Sequence, residues 1–305
     1  MASINTNTSA MTALQTLQSI NKQLETTQER ISTGYRVNQA SDNAAYWSIA
    51  TTMRSDNKAN SVVQDALGLA AGKVDTAYTA INKAVEVVDQ IKEKVLLAKS
   101  SGTEDRAKIQ TEIGALQDQL SEIANASYAG TNLLSTDSTA TTTTFSVISS
   151  YNRDSSGNVR TGSLQITLAD VRLVDTGGMN AGILDTQFTT TGAGAATFTV
   201  LNIDVTTAGL DETDFNDTLT GIETALSGLA TGASALGAAK SRIDLQTEFT
   251  SALMDAIDRG VGQLVDADMN EESTRLAALQ TQQQLGIQAL SIANSNAQNI
   301  LSLFR

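Results

Sequence analysis

Three residue types are missing from this chain of 305 residues, which contains no cysteine, no histidine and no proline. Without cysteine there is no disulfide and no thiol nucleophile, and without histidine there is no imidazole base. The two absences also exclude the thiolate and imidazole ligands of zinc sites. We therefore expect no cofactor and no metal site, and an enzyme is the least expected class of protein.

Long apolar runs are missing as well, because no stretch approaches the roughly 18 apolar residues that a membrane-spanning helix needs. We expect no membrane insertion. The formal net charge is −13, and an acidic surface repels phosphate backbones, so nucleic acid is not an expected partner. The start lacks the basic segment and apolar core of a cleaved secretion signal. If the protein leaves the cell, it uses another export route.

Charged side chains are absent from both ends of the chain. None lies between Met1 and Asn21, and none lies between Leu276 and Phe304. The first 33 residues are neutral overall and the last 30 carry a single positive charge, so residues 34–275 hold a net charge of −14. The acidic, solvated part of the protein is its middle.

Both uncharged ends carry apolar or small residues at the spacing of a heptad. The stripe of the first end is Ala10, Ala13, Leu17, Ile20, Leu24 and Ile31. The stripe of the last end is Leu276, Leu279, Gly286, Leu290, Ala293, Ala297, Ile300 and Phe304, and a second face carries Leu285, Ala289, Ile292 and Leu303. Helices with this pattern typically have neighbouring protein segments packed against most of their surface. We expect the ends to pair with each other and with other copies, and to order only on polymerisation; the alternative is an ordinary pair of terminal helices on a monomer.

The pattern between the ends is mainly helical. The first helix is expected to stop near Thr33, with Gly34 as a left-handed cap, and a second to begin at about Asp42–Ala44. From Val63 a heptad pattern predicts a long coiled coil that ends at Ser100–Gly102. Its positions are Val63, Leu67, Ala70, Val74, Ala77, Ile81, Ala84, Val88, Ile91, Val95 and Ala98. A third helix is expected to end near Tyr128–Gly130.

Residues 135–209 lose this periodicity and are rich in threonine, serine and glycine. Two alternating runs predict strands of a small β-rich domain, with three phenylalanines as core anchors. The runs are Leu164, Ile166, Leu168 and Leu201, Ile203, Val205, and the anchors are Phe145, Phe188 and Phe198. Helix is expected to resume near Asp214 and to break before a capping box of Asp268 and Glu271.

Three further motifs give little support for a catalytic or ligand-binding site. The sequence Gly192-Ala193-Gly194 lacks the strand and helix that flank a phosphate loop. The acidic cluster Asp211, Glu212 and Asp214 is best interpreted as charge at a helix N-terminus, with a carboxylate metal site as the weaker alternative. The pair Tyr46-Trp47 is expected in the core rather than on a contact surface.

Short motifs at both ends resemble those of bacterial flagellin. The N-terminal motifs are Ile4-Asn5-Thr6-Asn7, Ala13-Leu14, the run from Glu29 to Asn38, and Asp42-Asn43-Ala44-Ala45. The C-terminal motifs are Leu236-Gly237-Ala238, Arg242-Ile243, Asp266-Ala267-Asp268, Gln282 to Gln284, Ala293-Asn294 and Gln298 to Leu303. The resemblance covers about the first 135 and the last 95 residues.

The resemblance implies a mainly α fold, in which long antiparallel coiled-coil helices from both termini flank a small β-rich insert. It implies three domains: residues 1–40 and 269–305 as filament core, 41–135 and 211–268 as a helical shell, and 136–210 as an outer variable domain. The implied function is that of a structural subunit of the flagellar filament, used for swimming. The implied subunit interface comprises Ile4, Leu14, Leu17, Ile20, Leu24, Ile31, Leu276, Leu279, Leu285, Leu290, Ala293, Ile300, Leu301 and Phe304.

The same resemblance implies partners and a location. The partners are further copies of the chain, co-assembling flagellin paralogues, an export chaperone, the filament cap and the hook–filament junction proteins. The location is the extracellular filament, reached unfolded through the flagellar type III secretion apparatus without a cleaved signal peptide. A hook–filament junction protein is the alternative within the superfamily, and an adhesin that binds through the insert is the alternative from another class.

Two positions depart from the family pattern in a segment that an animal innate receptor recognises. Gln90 and Lys94 stand where relatives usually carry arginine and leucine. Residues 30–50 likewise depart from the peptide sensed by plants. We therefore expect weak recognition by both receptors.

Overall fold

The computed structural model describes residues 7–154 and 156–302, and side chains in the last helix as far as Ser295. In this part of the chain the helices are α1 (Thr8–Thr33), α2 (Ala44–Ser100), α3 (Thr103–Ala124), α4 (Glu212–Val265) and α5 (Met269–Ser302). Gly34 ends α1 at a φ of 75°, as the sequence predicts. None of the described helices combines the length and the apolarity that crossing a membrane requires.

Helix α3 ends earlier than the predicted Tyr128. The Asn132 side chain donates a hydrogen bond of 2.9 Å to the carbonyl of Ala124, the last residue of the helix. Tyr128 instead forms an isolated β-bridge with Thr131. The side-chain cap satisfies a carbonyl that another helical turn would otherwise have used.

The chain divides into two compact units: Met1–Asn57 with Asp255–Arg305, and Lys58–Met254. Helices α2 and α4 contribute residues to both. The division into three domains that the sequence suggests stays a prediction.

The second unit is built on the heptad stripe of α2. All eleven of its predicted positions from Val63 to Ala98 are buried. Ion pairs of Lys92 with Glu223 (2.5 Å) and of Lys240 with Asp75 join α2 to α4, and their order shows that the two helices are antiparallel. The coiled-coil prediction is confirmed for this region because the stripe is continuous and buried.

In the described residues of the insert, the strands form three small two-stranded sheets. Strands β2 (Thr144–Arg153) and β3 (Val159–Thr167) form an antiparallel hairpin with an irregularity between Ile148 and Ser150. Strands β1 (Ser135–Thr136) and β4 (Val174–Asp175) pair in parallel, and β5 (Phe188–Thr189) and β6 (Thr197–Phe198) pair antiparallel. The mainly helical fold with a strand-containing centre is confirmed, although turns and loops occupy much of the insert.

The strand predicted through Leu201, Ile203 and Val205 is wrong. Residues Val200–Asn202 form a 3₁₀ turn. The side chain of Gln110 from α3 donates to the Ile203 carbonyl (3.0 Å) and accepts from the Val205 amide (2.9 Å), so it replaces a partner strand. The apolar residues are buried as expected, but beside a helix rather than within a sheet. In the other predicted run, Leu168 likewise begins a 3₁₀ turn.

The insert packs closely on α4 at a glycine. A Cβ at Gly221 would lie 2.6 Å from ring atoms of Phe188. Phe188 in turn contacts Phe198, with ring centroids 6.4 Å apart. Of the three predicted anchors Phe198 is buried and the other two are half-buried.

The first unit has its own small core of Val37, Ala50, Val261 and Val265. The amides of Arg36 and Val37 both donate to the Val265 carbonyl. Tyr46 and Trp47, expected in the core, remain 41% and 39% exposed, so that expectation is wrong. The small Ala50 of the same helical face makes the close contact, and the two larger side chains flank it.

Candidate assembly interface

The uncharged ends of the chain form an antiparallel pair of helices. Leu17 of α1 lies against Gly286 of α5, where an added Cβ would be 3.0 Å from Leu17 Cδ1. The Gln283 side chain donates to Asn21 Oδ1 (2.8 Å), and the Asn7 side chain donates to the Ala293 carbonyl (3.0 Å). Residue numbers rise along α1 as they fall along α5, so the sequence prediction that the two ends pair is confirmed.

Local signals place the ends of these helices. Asn7 caps α1, since its side chain accepts a hydrogen bond of 3.1 Å from the Ala10 amide. Asp268 accepts hydrogen bonds from the amides of Asn270 and Glu271 at the start of α5. Only this half of the predicted capping box is present, because the Glu271 side chain pairs with Arg275 instead.

An ion pair holds the other end of the helix pair. Arg30 Nη1 lies 3.0 Å from Glu272 Oε1, and the Glu272 side chain is only 6% exposed. Arg275 Nη1 reaches the same oxygen at 3.3 Å. Sequence reasoning missed this pair. The signal was present, because antiparallel pairing brings the basic last turn of α1 beside the acidic first turn of α5.

The predicted interface residues whose side chains the structure describes fall into three groups by burial. Leu279 is buried within the helix pair, and Leu14 (46%) and Leu285 (57%) are exposed. The half-buried members are Leu17, Ile20, Leu24, Ile31, Leu276, Leu290 and Ala293. Ile4 and Phe304 lie outside the described residues, as do the side chains of Ile300 and Leu301.

Further large apolar side chains of the pair face outward. Met11 of α1 is 64% exposed, and Ile287 and Ile292 of α5 are 54% and 61% exposed. No charged residue lies between residues 7 and 21 or between 276 and 295. A surface that is both apolar and uncharged is suited to contact with another protein rather than to solvation.

The acidic cluster at the start of α4 proves to be structural. Asp214 is fully buried and accepts hydrogen bonds from the amides of Gly192 (2.9 Å), Gly194 (3.0 Å) and Asp211 (3.0 Å). Burial raises the pKa of this carboxyl, but the amides, with the Thr190 hydroxyl, outweigh burial and leave the pKa lowered. The glycine-rich loop thus binds a carboxylate of its own chain. The described residues contain no cluster of three potential metal ligands.

Comparison with known proteins gives the family. Residues 4–139 match the bacterial flagellin N-terminal helical region, and residues 219–304 match the bacterial flagellin C-terminal helical region. The chain belongs to the bacterial flagellin family. It is 55% identical to a flagellin of Brucella melitensis biotype 1 and 48% identical to flagellin C of Rhizobium meliloti, in both cases over the whole of each chain.

A solved structure shares the fold. A putative flagellar hook-associated protein from Vibrio parahaemolyticus has a TM-score of 0.50 and 14% identity, and the match covers 74% of this chain and 100% of that one. At this identity the likeness concerns the fold alone. The full-length relatives are flagellins, so the chain is a structural subunit of the flagellar filament, as the sequence predicts, and the hook–filament junction alternative is not favoured.

Membership of the flagellin family also answers the general questions of whether the protein is an enzyme, what it assembles with and where the assembly lies. Flagellins are structural proteins and not enzymes, which agrees with the sequence analysis. The chain polymerises with copies of itself and with flagellin paralogues, and the filament that results is extracellular.

Proposed function

We propose that the outward-facing apolar residues of the α1–α5 pair are the contacts through which neighbouring subunits form the core of the filament. One observation carries the proposal: this uncharged pair leaves Leu285 and Ile292 more than half exposed. Covering a leucine or isoleucine in a neighbouring subunit stabilises the polymer by about 1.5–3 kcal/mol per side chain. The interface comprises the residues identified from the sequence, together with these exposed positions.

Lysine at position 285 tests this proposal. Leu285→Lys leaves the helix pair of one chain intact because the side chain already faces outward, but it brings an unpaired charge into the subunit contact. We expect no filaments by negative-stain microscopy and no sedimenting polymer. Leu285→Met keeps the apolar character and should polymerise normally. Polymerisation of Leu285→Lys at the wild-type critical concentration would contradict the proposal.

The finer domain organisation belongs to the same proposal. Residues 1–40 and 269–305 form the filament core, 41–135 and 211–268 form a shell, and 136–210 face the solvent. The charge distribution supports this arrangement, because the acidic residues that favour solvation lie between the two neutral ends.

The remaining partners and the export route are also proposals. An export chaperone covers the C-terminal helix, and the filament cap and the hook–filament junction proteins contact the terminal helices at the two ends of the filament. The chain leaves the cell unfolded through the flagellar type III apparatus without a cleaved signal peptide. The exposed apolar positions of α5 support a need for a chaperone before assembly.

Two residues of α2 support the proposal that the animal innate receptor recognises this protein weakly. Gln90 is exposed there, and Lys94 Nζ forms an ion pair of 2.5 Å with Glu112 of α3. A leucine at position 94 would present an apolar contact instead of an ammonium group engaged with a carboxylate. Recognition through this face is therefore expected to be poor.

A further inference from the structure

A cleft of about 600 Å³ lies in the second unit, where α2 ends and where α3 and α4 begin. Its apolar walls are Leu96 of α2, Leu210 just before α4 and Phe215 of α4. Phe215 is buried, whereas Leu96 is 56% exposed although its side chain is large and apolar. The volume falls within the range of roughly 300–1,000 Å³ that is usual for small-molecule sites. The cleft can therefore hold the apolar body of a small ligand.

The side chain of Arg106 lines the same cleft and is held in one orientation. Its Nε donates hydrogen bonds to the carbonyls of Ala98 (3.1 Å) and Ser101 (3.2 Å) at the end of α2. Its guanidinium lies over the Phe215 ring, 4.6 Å from the ring centroid. Because these contacts fix the side chain before a ligand arrives, little conformational entropy is lost on binding.

The two Nη groups of Arg106 are not used by these contacts. They make no hydrogen bond and no ion pair with any residue that the structure describes. The planar fork of N–H donors that a guanidinium presents matches the two oxygens of a carboxylate or another oxyanion. A partly buried cation is also stabilised when a group of opposite charge pairs with it. This edge of the side chain is therefore suited to an anionic group.

The acidic side chains of the cleft already have partners. Glu212 forms an ion pair of 3.1 Å with Lys99. The Asp211 carboxylate accepts hydrogen bonds from three backbone amides, those of Ala193, Thr213 and Asp214. Among the described residues of the cleft, Arg106 is thus the cation that lacks a carboxylate partner.

We infer that this cleft binds a small amphipathic anion. The carboxylate, or an equivalent oxyanion, pairs with the Nη groups of Arg106, and the apolar body lies between Leu96 and Leu210. An anion without an apolar body would leave the two leucines uncovered, and an apolar molecule without charge would leave the guanidinium unpaired. Both parts of the ligand therefore contribute to binding. The site lies apart from the terminal helices and does not depend on contacts between subunits.

Titration calorimetry of the full-length soluble subunit with octanoate tests this inference. We expect saturable binding of octanoate. Octanol lacks the anionic group and acetate lacks the apolar body, so each should bind more weakly by roughly tenfold or more. Octanol or acetate that binds as tightly as octanoate would overturn the inference, because one half of the site would then contribute nothing.

Two substitutions with matched controls locate the binding. Arg106→Gln removes the guanidinium and should weaken octanoate binding by roughly tenfold or more. Arg160→Gln changes an exposed arginine of the insert and should leave binding unchanged. Leu96→Glu places a carboxylate at the cleft and should weaken binding to a similar extent. Leu97→Glu is its control, because the Leu97 side chain is 51% exposed but does not line the cleft.

Far-ultraviolet circular dichroism checks that each variant is folded. If Arg106→Gln does not fold, the comparison of Leu96→Glu with Leu97→Glu decides the matter, because both of these side chains are exposed in the wild type. Wild-type affinity for octanoate in folded Arg106→Gln or in Leu96→Glu would overturn the inference. An equal loss of affinity in Leu97→Glu would also overturn it, because octanoate would then bind outside the cleft.

Discussion

Arg30 and Glu272 join the last turn of α1 to the first turn of α5 through an ion pair of 3.0 Å whose carboxylate is almost fully buried. The guanidinium lies at a helix C-terminus and the carboxylate at a helix N-terminus, so both helix dipoles favour the arrangement. Glu271, one position earlier, is exposed and reaches only Arg275. Two adjacent glutamates of one helix therefore differ in their environment and allow a matched comparison.

Glu272→Ala is expected to weaken the filament by about 1–3 kcal/mol per subunit, since Arg30 loses a charged hydrogen-bond partner. The critical concentration should rise by roughly 5- to 150-fold. Glu271→Ala removes an exposed pair worth at most about 0.5 kcal/mol and serves as the control. The measurement is the amount of unpolymerised protein left after sedimentation. Equal effects of the two substitutions would mean that the buried pair does not hold the helices.

Gly221→Ala is expected to destabilise the second unit by about 1–3 kcal/mol, because its methyl group would overlap the Phe188 ring. Gly114 in α3 is the control. A Cβ there meets no atom within 4 Å, so Gly114→Ala should stabilise the protein by about 0.5–1 kcal/mol through helix propensity. Thermal unfolding followed by far-ultraviolet circular dichroism measures both. A rise in Tm for both variants would show that the insert does not pack on α4 at this position.

Acid is expected to loosen the insert around Asp175. The Ser138 hydroxyl and the amides of Ser138, Gly177 and Ala181 outweigh burial and hold the pKa of this carboxyl well below its usual range. Because the pKa of Asp175 is lower in the folded than in the unfolded state, its ionised form stabilises the fold. This stabilisation is fully present above the unfolded pKa of about 3.9, and it is lost as the pH falls through the folded pKa. The loss should therefore occur below about pH 4.

Amide hydrogen exchange measures this loss at Gly177 and Met179, which both donate to Asp175. Protection of these amides should fall between pH 4 and pH 2. Asp175→Asn should reduce their protection at neutral pH and remove most of the pH dependence. Asp118→Asn, at an exposed position of α3, should change neither. Unchanged protection of the wild type down to pH 2 would refute the role given to the carboxylate.

Restoring the usual family residues should strengthen recognition by the animal innate receptor. Gln90→Arg with Lys94→Leu is expected to lower the concentration of monomer needed for receptor activation at least tenfold, because the second change replaces a paired ammonium with an apolar side chain. A cell-based reporter assay measures it, and Glu112→Gln, which only frees Lys94, is the control. A wild-type response as strong as that of the double variant would show that the native chain is not a weak activator.

The terminal helices are expected to resist protease only in the filament. The α1–α5 pair buries few of its described side chains completely: Thr27, Glu272 and Leu279. So little burial hardly offsets the backbone entropy of about 1–2 kcal/mol per ordered residue. Limited proteolysis followed by mass spectrometry should show cleavage within residues 7–33 and 276–295 of the free subunit and protection after polymerisation. Equal resistance in both states would mean that these helices are ordered before assembly.

The amino-acid sequence by itself determined the long helices, the Gly34 cap of α1 and the burial along α2. Heptad spacing, Gly34 at the end of α1 and the break at Gly102 are local signals, because a helix places every third or fourth side chain on one face wherever it packs. The absence of charge at both ends is a signal of the same local kind, and it indicates that these ends pair and assemble.

Tertiary structure alone decided the features that depend on residues far apart in the chain. Ile203 and Val205 alternate like a strand, yet the side chain of Gln110 bonds their backbone and no strand forms. Tyr46 and Trp47 remain exposed, whereas Ala50 on the same helical face is buried. The close approach of Leu17 to Gly286 exists only when α1 and α5 lie side by side. Periodicity shows which face of a helix is apolar, whereas the partner and its distance are set by packing between segments that the local sequence does not encode.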